Sequence, residues 1–103
     1  MSKDEIIKRI KNKVHSIDPS AKVILYGSYA RGDFNENSDI DLLILVDKKK
    51  ITSEDERKLS YPLYDIEFDT GVIISPLVYS KKEWENRRVT PFSENVNKEG
   101  IRL

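Results

Sequence analysis

Apolar side chains recur along this chain with two periods, one helical and one typical of strands. Isoleucine and valine at helical spacing follow a capping box formed by Ser2 and Glu5, and a second such box is formed by Ser53 and Glu56. Short continuous apolar runs bounded by glycine, aspartate and lysine indicate buried strands. The pattern predicts, in chain order, a helix from Ser2 that ends before Asp18, strands at 23–26 and 39–46, a helix from Ser53, a strand at 72–79, and short helices from Ser80 and Thr90.

This order of elements predicts an α/β (α+β) fold, with a small mixed sheet of three or more strands and helices mainly on one face. A chain of 103 residues supports one core, so we expect a single domain over residues 1–103. Pro62 lies inside the helix that starts at Ser53 and should kink or split it. Pro76 places the third strand at a sheet edge or at a bulge.

Composition removes several classes of function. The 18 basic and 18 acidic residues give a net charge of zero, which argues against general nucleic-acid binding. The chain has no cysteine, so disulfides and thiolate metal sites are excluded. The apolar run at 40–46 is too short to cross a bilayer, and the charged amino terminus lacks the apolar core of a signal peptide. We therefore expect a cytoplasmic protein without a membrane segment.

Candidate chemistry lies where the first two strands meet. Gly27 and Ser28 are followed, after ten residues, by Asp39 and Asp41 at the start of the second strand. If these strands pair antiparallel, the turn and the carboxylates meet at one end of the sheet, with both carboxylates on one face about 7 Å apart at the backbone. Two carboxylates suit Mg²⁺, and a glycine turn with a serine hydroxyl suits phosphate. Either half alone would be an ordinary turn or a solvated strand edge.

The spacing Gly27-Ser28, ten residues, Asp39-Ile40-Asp41, with Tyr-Ala-Arg-Gly-Asp after the turn and serine just before Asp39, resembles the polymerase-beta-like nucleotidyltransferase superfamily. The short length is similar to its minimal nucleotidyltransferase branch. The resemblance implies a nucleotidyltransferase fold, phosphate binding by Gly27 and Ser28, and one or two Mg²⁺ ions on catalytic Asp39 and Asp41. It also implies ATP or another nucleoside triphosphate as substrate. Arg31, one turn beyond Ser28, either reaches phosphate or is a solvated, structural arginine.

The sequence departs from the family pattern at the third strand. The family carries there a third carboxylate, which binds metal and deprotonates the attacking hydroxyl. Residues 71–79 contain no acid, and alignment puts Ser75 at that position. Asp69 or Glu67 would substitute only if the strand register slips. Otherwise these upstream acids form a solvated helix end.

Two hypotheses follow for the function. In the first, the chain transfers a nucleoside monophosphate to a hydroxyl on a partner protein, because members of this branch commonly act as antitoxins that adenylylate a HEPN-family helical protein. In the second, it is a catalytically impaired binding module that neutralises or scaffolds its partner by contact. Transfer to an aminoglycoside-like compound or an RNA end ranks lower, since no acceptor site is visible. Family analogy also favours a homodimer or a mixed complex with the helical partner.

Overall fold

Helices and strands alternate along the described part of the chain. The computed structural model describes residues 2–86 and 89–103. Its elements are, in order, α1 (Lys3–Ile17), β1 (Lys22–Tyr26), α2 (Ser28–Arg31), β2 (Ile40–Val46), α3 (Ser53–Thr70), β3 (Ile74–Ser80), α4 (Lys81–Asn86), α5 (Pro91–Glu99) and β4 (Ile101–Arg102). In these described ranges, no helix is long and apolar enough to cross a membrane.

The strands form one four-stranded sheet in the order β3-β2-β1-β4. β1 pairs antiparallel with β2 and with β4, whereas β2 and β3 are parallel. The predicted mixed sheet and the antiparallel pairing of the first two strands are therefore confirmed. The strand that contains Pro76, β3, lies at one edge of the sheet, so its predicted edge position is also confirmed. An edge strand tolerates the N–H that proline lacks. β4 was not predicted, because two residues are too short to show a hydrophobic period.

The central strand β2 divides the core between the two faces of the sheet. Its even-numbered residues, such as Leu42 and Ile44, pack with α1 and α3 in the larger cluster. Leu43 and Leu45 point to the opposite face and pack with Val96 of α5 in a smaller cluster. The two long helices lie on one face as predicted, and α5 covers part of the other. Side chains alternate along a strand, so odd-numbered residues at the start of β2 face the α5 side.

Of the two alternatives predicted for Pro62, a kink or a split of α3, the split is wrong. Pro62 does not split the helix, which runs unbroken through it. One donor is lost there, but Leu59, Leu63 and Ile66 on both sides of the proline are buried in the main core and hold the helix against the sheet.

The helix ends follow the capping rules with one shift. The Ser2–Glu5 box is present on α1, and Thr90 caps α5 as predicted. The cap of α3 is Thr52 with Asp55, rather than Ser53 with Glu56. Threonine and aspartate fit the same reciprocal pattern one residue earlier, and this capping box forms in place of the predicted one.

Candidate active site

The two carboxylates of the motif lie at the start of β2, in the middle of the sheet. Asp41 is in register with Tyr26, the last residue of β1, so the end of one strand lies beside the start of the next. On its other side Asp41 is in register with Ser75 of β3. The Ser75 hydroxyl donates a hydrogen bond to Oδ2 of Asp39 at 3.4 Å. Three strands therefore position this end of the sheet.

The candidate phosphate-binding turn, Gly27 and Ser28, lies against the Asp41 carboxylate through Gly27. Gly27 has φ 75° and ψ −155°, and a Cβ atom added there would lie 2.5 Å from Oδ2 of Asp41. Its carbonyl accepts the backbone N–H groups of Ala30 and Arg31, so α2 begins immediately after the glycine, with Ser28 as its first residue. Only a glycine fits between this turn and Asp41 without moving one of them. The turn and Asp41 thus lie together at one end of the sheet, as the antiparallel pairing predicts.

Burial and a neighbouring like charge both disfavour the ionised form of Asp41. Partial burial raises the pKa of Asp41, the neighbouring Asp39 raises it further, and Arg31 acts in the opposite direction. The same neighbourhood raises the pKa of Tyr26 to about 12, through burial first and then through Asp41 and Tyr79. Two oxygen-rich carboxylates that repel each other across one face are a donor set that fits Mg²⁺. Asp39 and Asp41 are the residues that would hold it.

A third metal-binding acid does not join this pair. Asp69 forms an ion pair with Arg9 of α1 at 2.6 Å, and the Glu67 carboxylate accepts the backbone N–H of Ile74 at 2.9 Å. Across residues 2–86 and 89–103, no group of three His, Cys, Asp or Glu side chains is placed to hold a metal ion. The structure does not bring Asp69 to the carboxylate pair. β3 pairs with β2 so that Ser75, the residue predicted to replace the family's third carboxylate, is in register with Asp41.

A further acid, which sequence reasoning missed, lies against the turn. Glu99, at the end of α5, accepts the backbone N–H of Gly27 at 3.2 Å and the Arg31 guanidinium at 3.2 Å from each carboxylate oxygen. Arg31 also donates to Asp33 at 3.1 Å. Glu99 follows Gly27 by 72 positions, with no spacing that would connect them. The pairing of β4 with β1 is what returns this part of the chain to the site.

Comparison with known proteins identifies the family. The profile of the nucleotidyltransferase domain matches residues 7–101. The chain belongs to the nucleotidyltransferase domain family. Two relatives from Methanocaldococcus jannaschii are each named "putative protein adenylyltransferase". One is 41% identical over 80 residues, which cover 75% of this chain and 79% of the relative. The other is 38% identical over 82 residues, covering 77% and 73%.

Solved structures confirm the nucleotidyltransferase fold. A "putative nucleotidyltransferase" from Sulfolobus solfataricus superposes with a TM-score of 0.62 at 22% identity, covering 95% of this chain and 76% of that one. A toxin-antitoxin crystallised with AMP-PNP gives a TM-score of 0.61 at 19% identity, covering 99% and 72%. A mutant of the toxin-antitoxin MntA-HpeT gives 0.58 at 16% identity, covering 99% and 71%. At these identities the likeness establishes the fold alone.

Proposed function

We propose that this nucleotidyltransferase-family chain transfers AMP from ATP to a hydroxyl group on a partner protein, in a reaction that requires Mg²⁺. The observation that carries the proposal is the contact between the Gly27 turn and Asp41, beside Asp39. This contact supports the proposal because a metal-bound triphosphate needs donors for phosphate next to ligands for a cation.

The residues of the site have separate tasks in this scheme. The Gly27 N–H, the Ser28 hydroxyl and the Arg31 guanidinium bind triphosphate oxygens, and Asp39 with Asp41 would hold Mg²⁺. The ion, when bound, neutralises phosphate charge and stabilises the pyrophosphate leaving group. The acceptor oxygen bonds to the α-phosphorus while the bond from that phosphorus to the β-phosphate oxygen breaks. Pyrophosphate leaves, and the hydroxyl proton passes to a carboxylate of the pair or to water.

The partner is proposed from the relatives. Two of them are named as protein adenylyltransferases, which supports a protein hydroxyl as acceptor. Structural neighbours are toxin-antitoxin assemblies, one of them with AMP-PNP, which supports ATP as donor and a role as the antitoxin of a HEPN-type helical protein. We extend both features to this chain as part of the proposal.

The test is transfer of label to the protein encoded beside this one. With Mg²⁺, α-labelled ATP should label that partner and γ-labelled ATP should not, because pyrophosphate carries the γ-phosphate away. Asp39→Asn should lower transfer by at least about 100-fold. Asp69→Asn is the matched control, since Asp69 pairs with Arg9 away from the carboxylate pair, and it should transfer normally. If nucleotide binds and no label moves to the partner, transfer is refuted.

The position of Ser75 favours a second candidate function. Without a third carboxylate, the chain would serve as a catalytically impaired binding module with the nucleotidyltransferase fold, which neutralises or scaffolds its partner by direct contact. The combined variant Asp39→Asn with Asp41→Asn separates the two functions. Partner neutralisation that survives this change supports the binding module, and neutralisation that is lost supports transfer.

A further inference from the structure

The Glu99 carboxylate occupies the donors that the proposed function assigns to phosphate. Its Oε1 accepts the Gly27 N–H, and both of its oxygens lie 3.2 Å from Nη1 of Arg31. The carboxylate thus accepts from the turn amide and the guanidinium at once, as a phosphate oxygen would. Phosphate and carboxylate are both anionic oxygen acceptors, so the two cannot use these donors at the same time.

The backbone that carries Glu99 is fixed from both sides. Val96, one turn earlier on α5, is 2% exposed in the cluster with Leu43 and Leu45. Beyond Glu99, the β4 strand pairs with β1, and the Leu103 N–H donates to the Val23 carbonyl at 2.9 Å. A side chain held this way has a high effective concentration at the turn, since it cannot diffuse away.

We propose that Glu99 is an internal competitor of the nucleotide: the triphosphate binds only when its oxygens displace the Glu99 carboxylate from the Gly27 amide and the Arg31 guanidinium. The end of α5 then acts as an autoinhibitory contact that sets nucleotide affinity. The inference rests on the proposed function, because it assumes that this turn receives phosphate. It predicts that a variant without the Glu99 carboxylate binds the nucleotide more tightly, although Glu99 lies in the site.

The experiment compares Kd for Mg-ATP, measured by calorimetry, in the wild type and three variants. Glu99→Gln keeps the shape and removes the charge, and should tighten binding about tenfold, since charged hydrogen bonds are the stronger ones. Glu94→Gln is the matched control: it removes one negative charge from an exposed position of the same helix and should leave Kd within about twofold. Glu99→Asp, which keeps the charge and is shorter by one methylene, should also tighten binding. Magnesium tripolyphosphate should gain as much as Mg-ATP, since the competition is for phosphate donors.

The outcomes separate this inference from the proposed function. Equal Kd values for the wild type and both Glu99 variants would overturn the competition and leave nucleotide binding intact. Weaker binding by Glu99→Gln would overturn it too, by showing that Glu99 positions Arg31 for phosphate. If neither the wild type nor any variant binds Mg-ATP or magnesium tripolyphosphate, both the competition and the proposed function fail.

Discussion

The close approach of Gly27 to Asp41 predicts that Gly27→Ala strongly destabilises the protein. Gly27 has φ 75° and ψ −155°, a region that only glycine adopts without strain. A Cβ atom there would also lie 2.5 Å from Oδ2 of Asp41, well inside van der Waals contact. Alanine therefore forces either the turn or the carboxylate to move. Either movement would separate the proposed phosphate donors from the proposed metal ligands.

The size of the effect follows from comparison with Gly71, the C-cap of α3. Gly71 has the same φ of 75° with ψ 4°, and a Cβ atom there meets nothing within 4 Å. Gly71→Ala should cost about 1 kcal/mol, the lower end of the range for such backbone strain. Gly27→Ala combines the less accessible ψ with the contact to Asp41 and should cost about 3 kcal/mol. For a chain of this size, these losses lower Tm by about 4–8 °C per kcal/mol.

The assay is urea unfolding, followed by far-UV circular dichroism and Trp84 fluorescence, in a double-mutant cycle. In an Asp41→Ala background the clashing oxygen is absent, so Gly27→Ala should recover about 1 kcal/mol of its loss, while Gly71→Ala should cost the same in both backgrounds. The reasoning is refuted if Gly27→Ala costs no more than Gly71→Ala and the cycle shows no coupling to Asp41.

Three further predictions concern charge at the site. The raised pKa of Asp41 means that its stabilising contribution is present below the ordinary carboxyl value of 3.8 and is lost as pH rises through the folded-state pKa. Asp41→Asn should therefore raise the Tm of the metal-free protein at pH 7, and it should not raise the Tm below pH 3.8. Thermal scans at both pH values test this, and a lower Tm at pH 7 would contradict it. Ser75→Asp places a third carboxylate in register with Asp41, so it should lower the Tm of the metal-free protein. It should also speed the transfer of labelled AMP by about tenfold or more at saturating Mg-ATP, and an unchanged rate would contradict this. Mg-ATP at 100 times its Kd should raise the free energy of unfolding by about 2.7 kcal/mol, and ATP with a chelator should fall well short of this in a thermal shift; equal shifts would argue against the metal role.

The sequence was sufficient to predict the centre of the site, because that centre depends on neighbours in the chain. Gly27 ends one strand and Asp41 starts the next, so a single antiparallel pairing brings them together. Ser75 lies beside Asp41 because β3 runs parallel to β2 with these two residues in register. Its assignment to the family's third carboxylate position stays a prediction. Pro62 failed as a helix breaker because burial of its neighbours outweighs one lost donor.

The contact of Glu99 with Gly27 could not be predicted from local sequence patterns. It reaches Gly27 only because β4, a strand of two residues, pairs with β1 and returns the end of α5 to the turn. Neither the strand nor the helix end has a period or spacing that refers to the motif. Contacts between distant segments depend on tertiary packing, which local patterns do not describe.

The charges of the site indicate how its two ligands depend on each other. ATP without metal would bring phosphate toward Asp41, whose pKa is already raised by burial and by the neighbouring Asp39, so the added negative charge is opposed. Mg²⁺ without ATP meets the carboxylates but leaves Glu99 on Gly27 and Arg31. In the proposed scheme, Mg-ATP would supply a cation for the aspartates and, in the same step, oxygens that replace Glu99 on its donors. Binding of metal and of triphosphate should therefore be strongly coupled and reciprocal, each raising the affinity of the other by the same factor.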